Sequence, residues 1–84
     1  MAEIEIGTVS AFFAKPVVAG VQLTAPLRVG DRILIKGHTT NLEMTVGSMQ
    51  INNANVQEAG AGVAVGIKLP DRVRQGDVVY KIAD

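Results

Sequence analysis

Apolar and polar residues succeed each other along this chain with a period near two, in short runs cut by glycine, proline and asparagine. Ile4, Ile6, Thr8 and Ser10 alternate with Glu5, Gly7, Val9 and Ala11, which predicts a first strand reaching toward Ala14. Its second half carries apolar residues in both registers, so burial on both sides is expected there. Lys15-Pro16 breaks the run, because proline cannot donate to a ladder. Val17, Val18, Val21 and Leu23 make a second strand with a bulge at Ala19-Gly20, and Ala25-Pro26 ends it. Arg32 to Lys36 is a third strand, and His38-Thr39-Thr40-Asn41 is a polar tip after Gly37. The run from Leu42 to Ile51 reads as one long strand. Its apolar parity switches at Gly47, from Leu42, Met44 and Val46 to Met49 and Ile51, which marks a bend. Asn52-Asn53-Ala54-Asn55 is a loop, and Val56-Gln57-Glu58 either returns to the wall or forms one helical turn. Val63, Val65 and Ile67 then give a strand one bulky face, with Ala64 and Gly66 on a small one. No long segment carries a 3.6-residue period.

One stretch organises the rest. Leu27-Arg28-Val29-Gly30-Asp31-Arg32-Ile33-Leu34-Ile35-Lys36 returns, altered, as Val73-Arg74-Gln75-Gly76-Asp77-Val78-Val79-Tyr80-Lys81-Ile82. Glycine reaches positive φ without a Cβ penalty, and an adjacent aspartate can hydrogen-bond the local backbone. Each copy is therefore expected to turn the chain and launch one buried strand. Short strands with frequent glycine predict an all-β barrel or sandwich, and closing the sheet removes sticky edges. No linker is visible, so residues 1–84 read as a single domain.

Composition narrows the function classes. The 84 residues are 48% hydrophobic, with Phe12, Phe13 and Tyr80 as the aromatics, so the core must come from aliphatic side chains. Lys plus Arg and Asp plus Glu number eight each, which leaves no global field to draw in nucleic acid. The absence of cysteine excludes disulfides, thiolate metal sites and cysteine nucleophiles, and fits a reducing interior. Met1-Ala2-Glu3-Ile4-Glu5 lacks the pattern of a signal peptide, and no apolar run is long enough to span a bilayer. A cytoplasmic protein is expected, with no membrane partner.

Candidate chemistry is sparse. His38, the sole histidine, lacks an evident nucleophile or ligand companion and reads as a solvated turn residue. Asp31 and Asp77 could pair for acid–base work, but their matching contexts favour turn capping. Gly60, Gly62 and Gly66 stand in the wrong register for a phosphate cradle. Arg28, Arg32, Arg72 and Arg74 flank the two corners, with Lys36, Lys68 and Lys81 on adjoining strands. They form either a local basic face or a solvated rim interleaved with Asp31, Asp71 and Asp77, and the rim is preferred. Of the stacking aromatics that single-stranded RNA sites use, only Phe12-Phe13 is available, with one of the pair expected in the core. No catalytic residue, cofactor or metal site is assigned.

Four blocks occur in order: Ile6-Gly7-Thr8-Val9, Leu27-Arg28-Val29-Gly30-Asp31, Gly60-Ala61-Gly62-Val63-Ala64-Val65-Gly66-Ile67 and Arg74-Gln75-Gly76-Asp77-Val78-Val79. Together they resemble the second domain of elongation factor Tu and related translation GTPases. The resemblance implies a closed antiparallel Greek-key β-barrel of about six or seven strands. In that family a segment before the third block touches the aminoacyl end of tRNA through an acidic residue and an arginine. Those positions fall on Gln50 and Asn53, so the resemblance implies an uncharged polar pocket at Gln50, Asn52 and Asn53. The expected function is a non-catalytic, stand-alone binding module for tRNA, other RNA or a translation-related protein. Gln50, Asn52, Asn53, Arg28, Arg32, Arg72 and Arg74 are the candidate contacts. GTP and DNA binding are not expected. The alternative is a protein–protein adaptor: an accessory subunit of a larger enzyme such as a collagenase-like peptidase or an RNA-modifying enzyme, or a homo-oligomeric structural module.

Overall fold

A computed structural model describes residues 2–15 and 17–83, and these are all-β, with no helix among them. Ten strands follow one another: β1 (Ala2–Ala14), β2 (Val17–Leu23), β3 (Leu27–Arg28), β4 (Arg32–Lys36), β5 (Asn41–Thr45), β6 (Met49–Ile51), β7 (Ala54–Val56), β8 (Glu58–Ala59), β9 (Ala64–Lys68) and β10 (Val78–Ala83). Eight pair antiparallel in the order β5-β4-β10-β1-β2-β9-β6-β7, and β3 pairs with β8 apart from them. Ile6, Val21, Leu27, Ile33, Met49, Ile67 and Val79, from seven different strands, lie in one buried cluster. A flat sheet could not bring them together, so the large sheet curls around a single aliphatic core.

The expected closed barrel of six or seven strands needs correction. The ladder runs from β5 to β7 without joining them, and the strands are more numerous and shorter than the pattern suggested. The predicted long strand from Leu42 to Ile51 is two strands, broken at Val46-Gly47-Ser48 where the parity changes. Val56 to Glu58 is extended rather than helical. The bulge expected at Ala19-Gly20 lies across the ladder instead. Register shifts between Glu5 and Gly7, and again between Val9 and Ala11, put the extra residues, Ile6 and Ser10, in β1. This explains the apolar residues of both parities in that strand. Each bulge reverses which parity faces inward, so Ile6, Val9 and Phe12 point to the core, while Phe13 is 58% exposed. β1 ends at Ala14 and Lys15 is a turn residue, so the break begins at Lys15 as expected, though Pro16 itself lies outside the described residues.

The two Gly-Asp corners share one geometry. At the first, Asp31 N–H donates to Arg28 C=O (3.1 Å), Gly30 takes φ +98°, and Arg28 N–H donates to Asp31 Oδ2 (2.9 Å). At the second, Asp77 N–H donates to Arg74 C=O (3.1 Å), Gly76 takes φ +95°, and Arg74 N–H donates to Asp77 Oδ2 (2.8 Å). Positive φ at the third residue is what a type II turn requires. Each corner then grips a buried valine from another part of the chain. Gly30 N–H donates to Val46 C=O (2.8 Å) and Val46 N–H to Asp31 C=O (2.9 Å). Gly76 N–H donates to Val9 C=O (2.8 Å) and Val9 N–H to Asp77 C=O (2.8 Å). A third corner repeats the grip without an aspartate. Gly62, at φ +86°, donates to Leu23 C=O, and Leu23 N–H donates to Val63 C=O, both at 2.9 Å.

The strands that the Gly-Asp corners launch, β4 and β10, lie side by side. Extending their register places Asp77 opposite Gly37, and a Cβ at Gly37 would overlap the Asp77 carboxylate. Asp31 meets Lys81 Nζ of β10 at 3.2 Å. Each corner aspartate is therefore seated against the strand that the other corner launches. Gly37→Ala should lower stability by roughly 1–3 kcal/mol through this overlap. The same substitution should cost far less in an Asp77→Ala background, because the two residues share one space. Urea unfolding of the two single variants and the double variant measures the coupling.

Candidate functional site

The outer face of β2, β9 and β6 holds a trough of about 520 Å³ lined by Phe13, Val18, Gly20, Ala64, Val65, Gly66, Gln50, Asn52 and Asn53. Its floor follows from register. Ala11 pairs with Gly20, Gly20 with Gly66, Gly66 with Gln50, and Gln50 with Asn55, one rung crossing five strands. Two adjacent glycines leave the middle of that rung without side chains. The rung beside it, Phe13-Val18-Lys68, rises as a wall. The other side is amide: Gln50 Nε2 donates to Asn55 Oδ1 at 3.1 Å. Asn52 and Asn53 adopt φ +51° and +65°, and they form the two-residue turn between the paired Ile51 and Ala54. Such a hairpin turn needs positive φ at both central residues, which asparagine tolerates. That turn accounts for both asparagines and also sets them at the trough mouth.

Gln50, Asn52 and Asn53 are thus brought together, whereas Arg28 lines one hollow and Arg72 and Arg74 another. Arg28 meets Glu58 at 3.5 Å, and both side chains are exposed. Arg32 is paired with Glu43. Arg72 lies over the Phe12 ring, 5.9 Å from its centroid, and lines a hollow of about 430 Å³ with Arg74, Ala14, Val73 and Gln75. Lys36 is similarly engaged: its Nζ lies 2.9 Å from Glu3 Oε1 and 5.6 Å from the Tyr80 ring centroid. Glutamates from distant strands, more than the neighbouring aspartates, balance the positive charge near the first corner. Asp71 accepts the Arg72 N–H at 2.7 Å. His38 sits exposed in the tip between β4 and β5. Among the described residues, no group of three histidine, aspartate or glutamate side chains could hold a metal ion. No helix among them is long and apolar enough to cross a membrane.

Sequence reasoning found the amide side of the trough and missed the floor and wall. The small face of β9 was visible in the alternation of Ala64 and Gly66 with bulky residues. That Gly66 would lie beside Gly20 depended on long-range register, which the chain does not display locally.

No family model matches this chain. It is 47% identical over 83 residues to an uncharacterized protease of Methanocaldococcus jannaschii, a match covering 98% of this chain and 20% of that protein. The chain therefore spans about a fifth of the length of the curated relative it matches. The C-terminal domain of a Geobacillus thermoleovorans protein described as a U32 peptidase superposes with TM-score 0.87 at 18% identity, covering 96% of this chain and 93% of that one. The selenomethionine variant of the same domain gives TM-score 0.86 at 18% identity, over 92% and 98%. At that identity the structural match defines the fold alone.

These matches overturn the resemblance to the second domain of elongation factor Tu, and with it the translation and RNA-binding role. The error has a physical source. The blocks carrying that resemblance are largely the three glycine corners and the strands they launch. A glycine at positive φ and an aspartate accepting a local N–H are requirements of the turn. They report how a curled sheet bends and carry no information about a ligand.

The trough floor has room for a methyl group. A Cβ at Gly66 would stand 3.5 Å from Val18 Cγ1, and one at Gly20 3.5 Å from Ala11 Cβ, both ordinary contacts. Gly20→Ala and Gly66→Ala should leave the midpoint of thermal unfolding unchanged or raise it, by up to about 1 kcal/mol in stability. A sharp drop in either variant would show that the glycines serve the fold rather than the trough.

Proposed function

We propose that this chain is a non-catalytic module that works with a U32-type peptidase, offering the trough as a protein-binding face. The observation that carries the reading is the 47% identity along 98% of the chain to one fifth of a protease. A stretch so small a part of the relative suits an accessory role better than the centre of the chemistry. Asp31 and Asp77 are already engaged in turn geometry.

The trough chemistry suits polypeptide. Gln50, Asn52 and Asn53 supply both donors and acceptors without charge, which matches peptide groups better than phosphates. Phe13 is one of the two large apolar side chains exposed among the described residues, and exposed aromatics commonly anchor protein contacts. The glycine floor lets an extended backbone lie close to the sheet.

Purified chain alone should leave gelatin intact, and gelatin hydrolysis that disappears in His38→Ala would sink the non-catalytic reading. Placing this chain in the M. jannaschii relative, in exchange for the matching stretch, tests the module itself. Where the intact relative hydrolyses a protein substrate such as casein, the exchanged protein should hydrolyse it at a similar rate. Gly66→Val in that protein should raise KM roughly tenfold with kcat unchanged, as expected when a binding contact is lost. An unaltered KM would remove the trough from the role.

A further inference from the structure

The hydrogen-bond phase of β5 can be fixed from its two ends. Gly37 N–H donates to Thr40 C=O (2.9 Å) before the strand, and Val46 N–H donates to Asp31 C=O (2.9 Å) after it. Between them Ile35 pairs with Leu42 and Ile33 with Met44. Antiparallel ladders alternate between bonded and non-bonded pairs. Leu42 and Met44 therefore exchange bonds with β4, while Asn41, Glu43 and Thr45 turn their N–H and C=O groups the other way. β5 ends the sheet, so nothing in the ladder receives them.

At the Thr45 end of this edge lies a hollow of about 330 Å³, lined by Met44, Thr45, Ser48, Lys68, Leu69 and Pro70. Its far wall cannot complete the ladder. Leu69 N–H already donates to Val17 C=O (3.0 Å), and Pro70 has no N–H to give. The charge in the hollow is that of Lys68, which makes no ion pair among the described residues, whereas Glu43 is engaged by Arg32. The other edge offers less: β7 is three residues long, and counting from its bonded turn pair only Asn55 points outward.

We propose that the free edge of β5 takes up an extended polypeptide strand, with an apolar side chain entering between Met44 and Leu69 and a carboxylate meeting Lys68. Three outward pairs of main-chain groups specify an extended backbone as the occupant, because strand addition satisfies such groups one residue in two. Lys68 specifies the acidic side chain. This surface adjoins the trough at Lys68, the end of the trough wall, and does not depend on the peptidase reading.

Selection from a displayed library of random dodecapeptides tests it. Enriched peptides should alternate apolar and polar residues and share an acidic position. Their binding should slow hydrogen exchange at the Glu43 and Thr45 amides. Thr45→Pro removes one outward donor and no ladder bond, and should weaken binding roughly tenfold. Lys68→Ala, an exposed change that leaves the backbone alone, should weaken the acidic peptides by a similar factor and keeps the test valid if Thr45→Pro unfolds. Failure to enrich any peptide, or protection confined to the trough amides, overturns the proposal. So does an ultracentrifugation dimer of this chain that protects the same two amides, since a second copy would then be the occupant.

Discussion

Two neighbouring amides carry the curl of this molecule. Val29 N–H donates to Gln57 C=O (2.9 Å), just past β7, and Gly30 N–H donates to Val46 C=O (2.8 Å), just past β5. These are the ends of the two edge strands of an eight-stranded sheet. One corner therefore fastens both edges at one end, although the ladder never joins them. Positive φ at Gly30 lets successive amides diverge toward separate strands. Each such bond is worth only about 1 kcal/mol net. Its effect is larger than that figure suggests, because the aliphatic cluster is enclosed only while the sheet stays bent.

The corners were the most legible part of the fold because they are local. Gly30-Asp31 and Gly76-Asp77 advertise their turn in adjacent residues, and both turns form as expected. The parity change at Gly47 likewise marked a real break. What escaped notice depends on partners remote in sequence. Ile6 and Ser10 look like ordinary members of an alternating strand, and only the pairing register against β10 and β2 makes them bulges. Barrel closure failed for a similar reason. Whether the edge strands β5 and β7 meet depends on pairings spread across the whole ladder, and no rung joins them.

The site was half legible for the same reason. Gln50, Asn52 and Asn53 stand close in sequence and were found as a polar cluster. Gly20 and Gly66 become one surface feature only through cross-strand pairing. For the arginines the chain left a shared basic face or a solvated rim, with the rim preferred, but it did not show the partners: Arg28 and Arg32 are balanced by Glu58 and Glu43 from elsewhere in the fold. Charge runs describe sequence neighbours, whereas electrostatic neighbours are chosen by topology.

The central place of β10 between β4 and β1 has a consequence for synthesis. A nascent chain lacking residues after Gln75 already holds β4, β5 and the β1–β2 hairpin. It has no strand to join the one group to the other, and Val9 lacks the corner that grips it. The core cannot be enclosed until β10 has left the ribosome. Pairings of such long sequence separation also slow folding. During that interval the apolar face of β1 is open, and a chaperone or a neighbouring segment of polypeptide could hold it until β10 arrives.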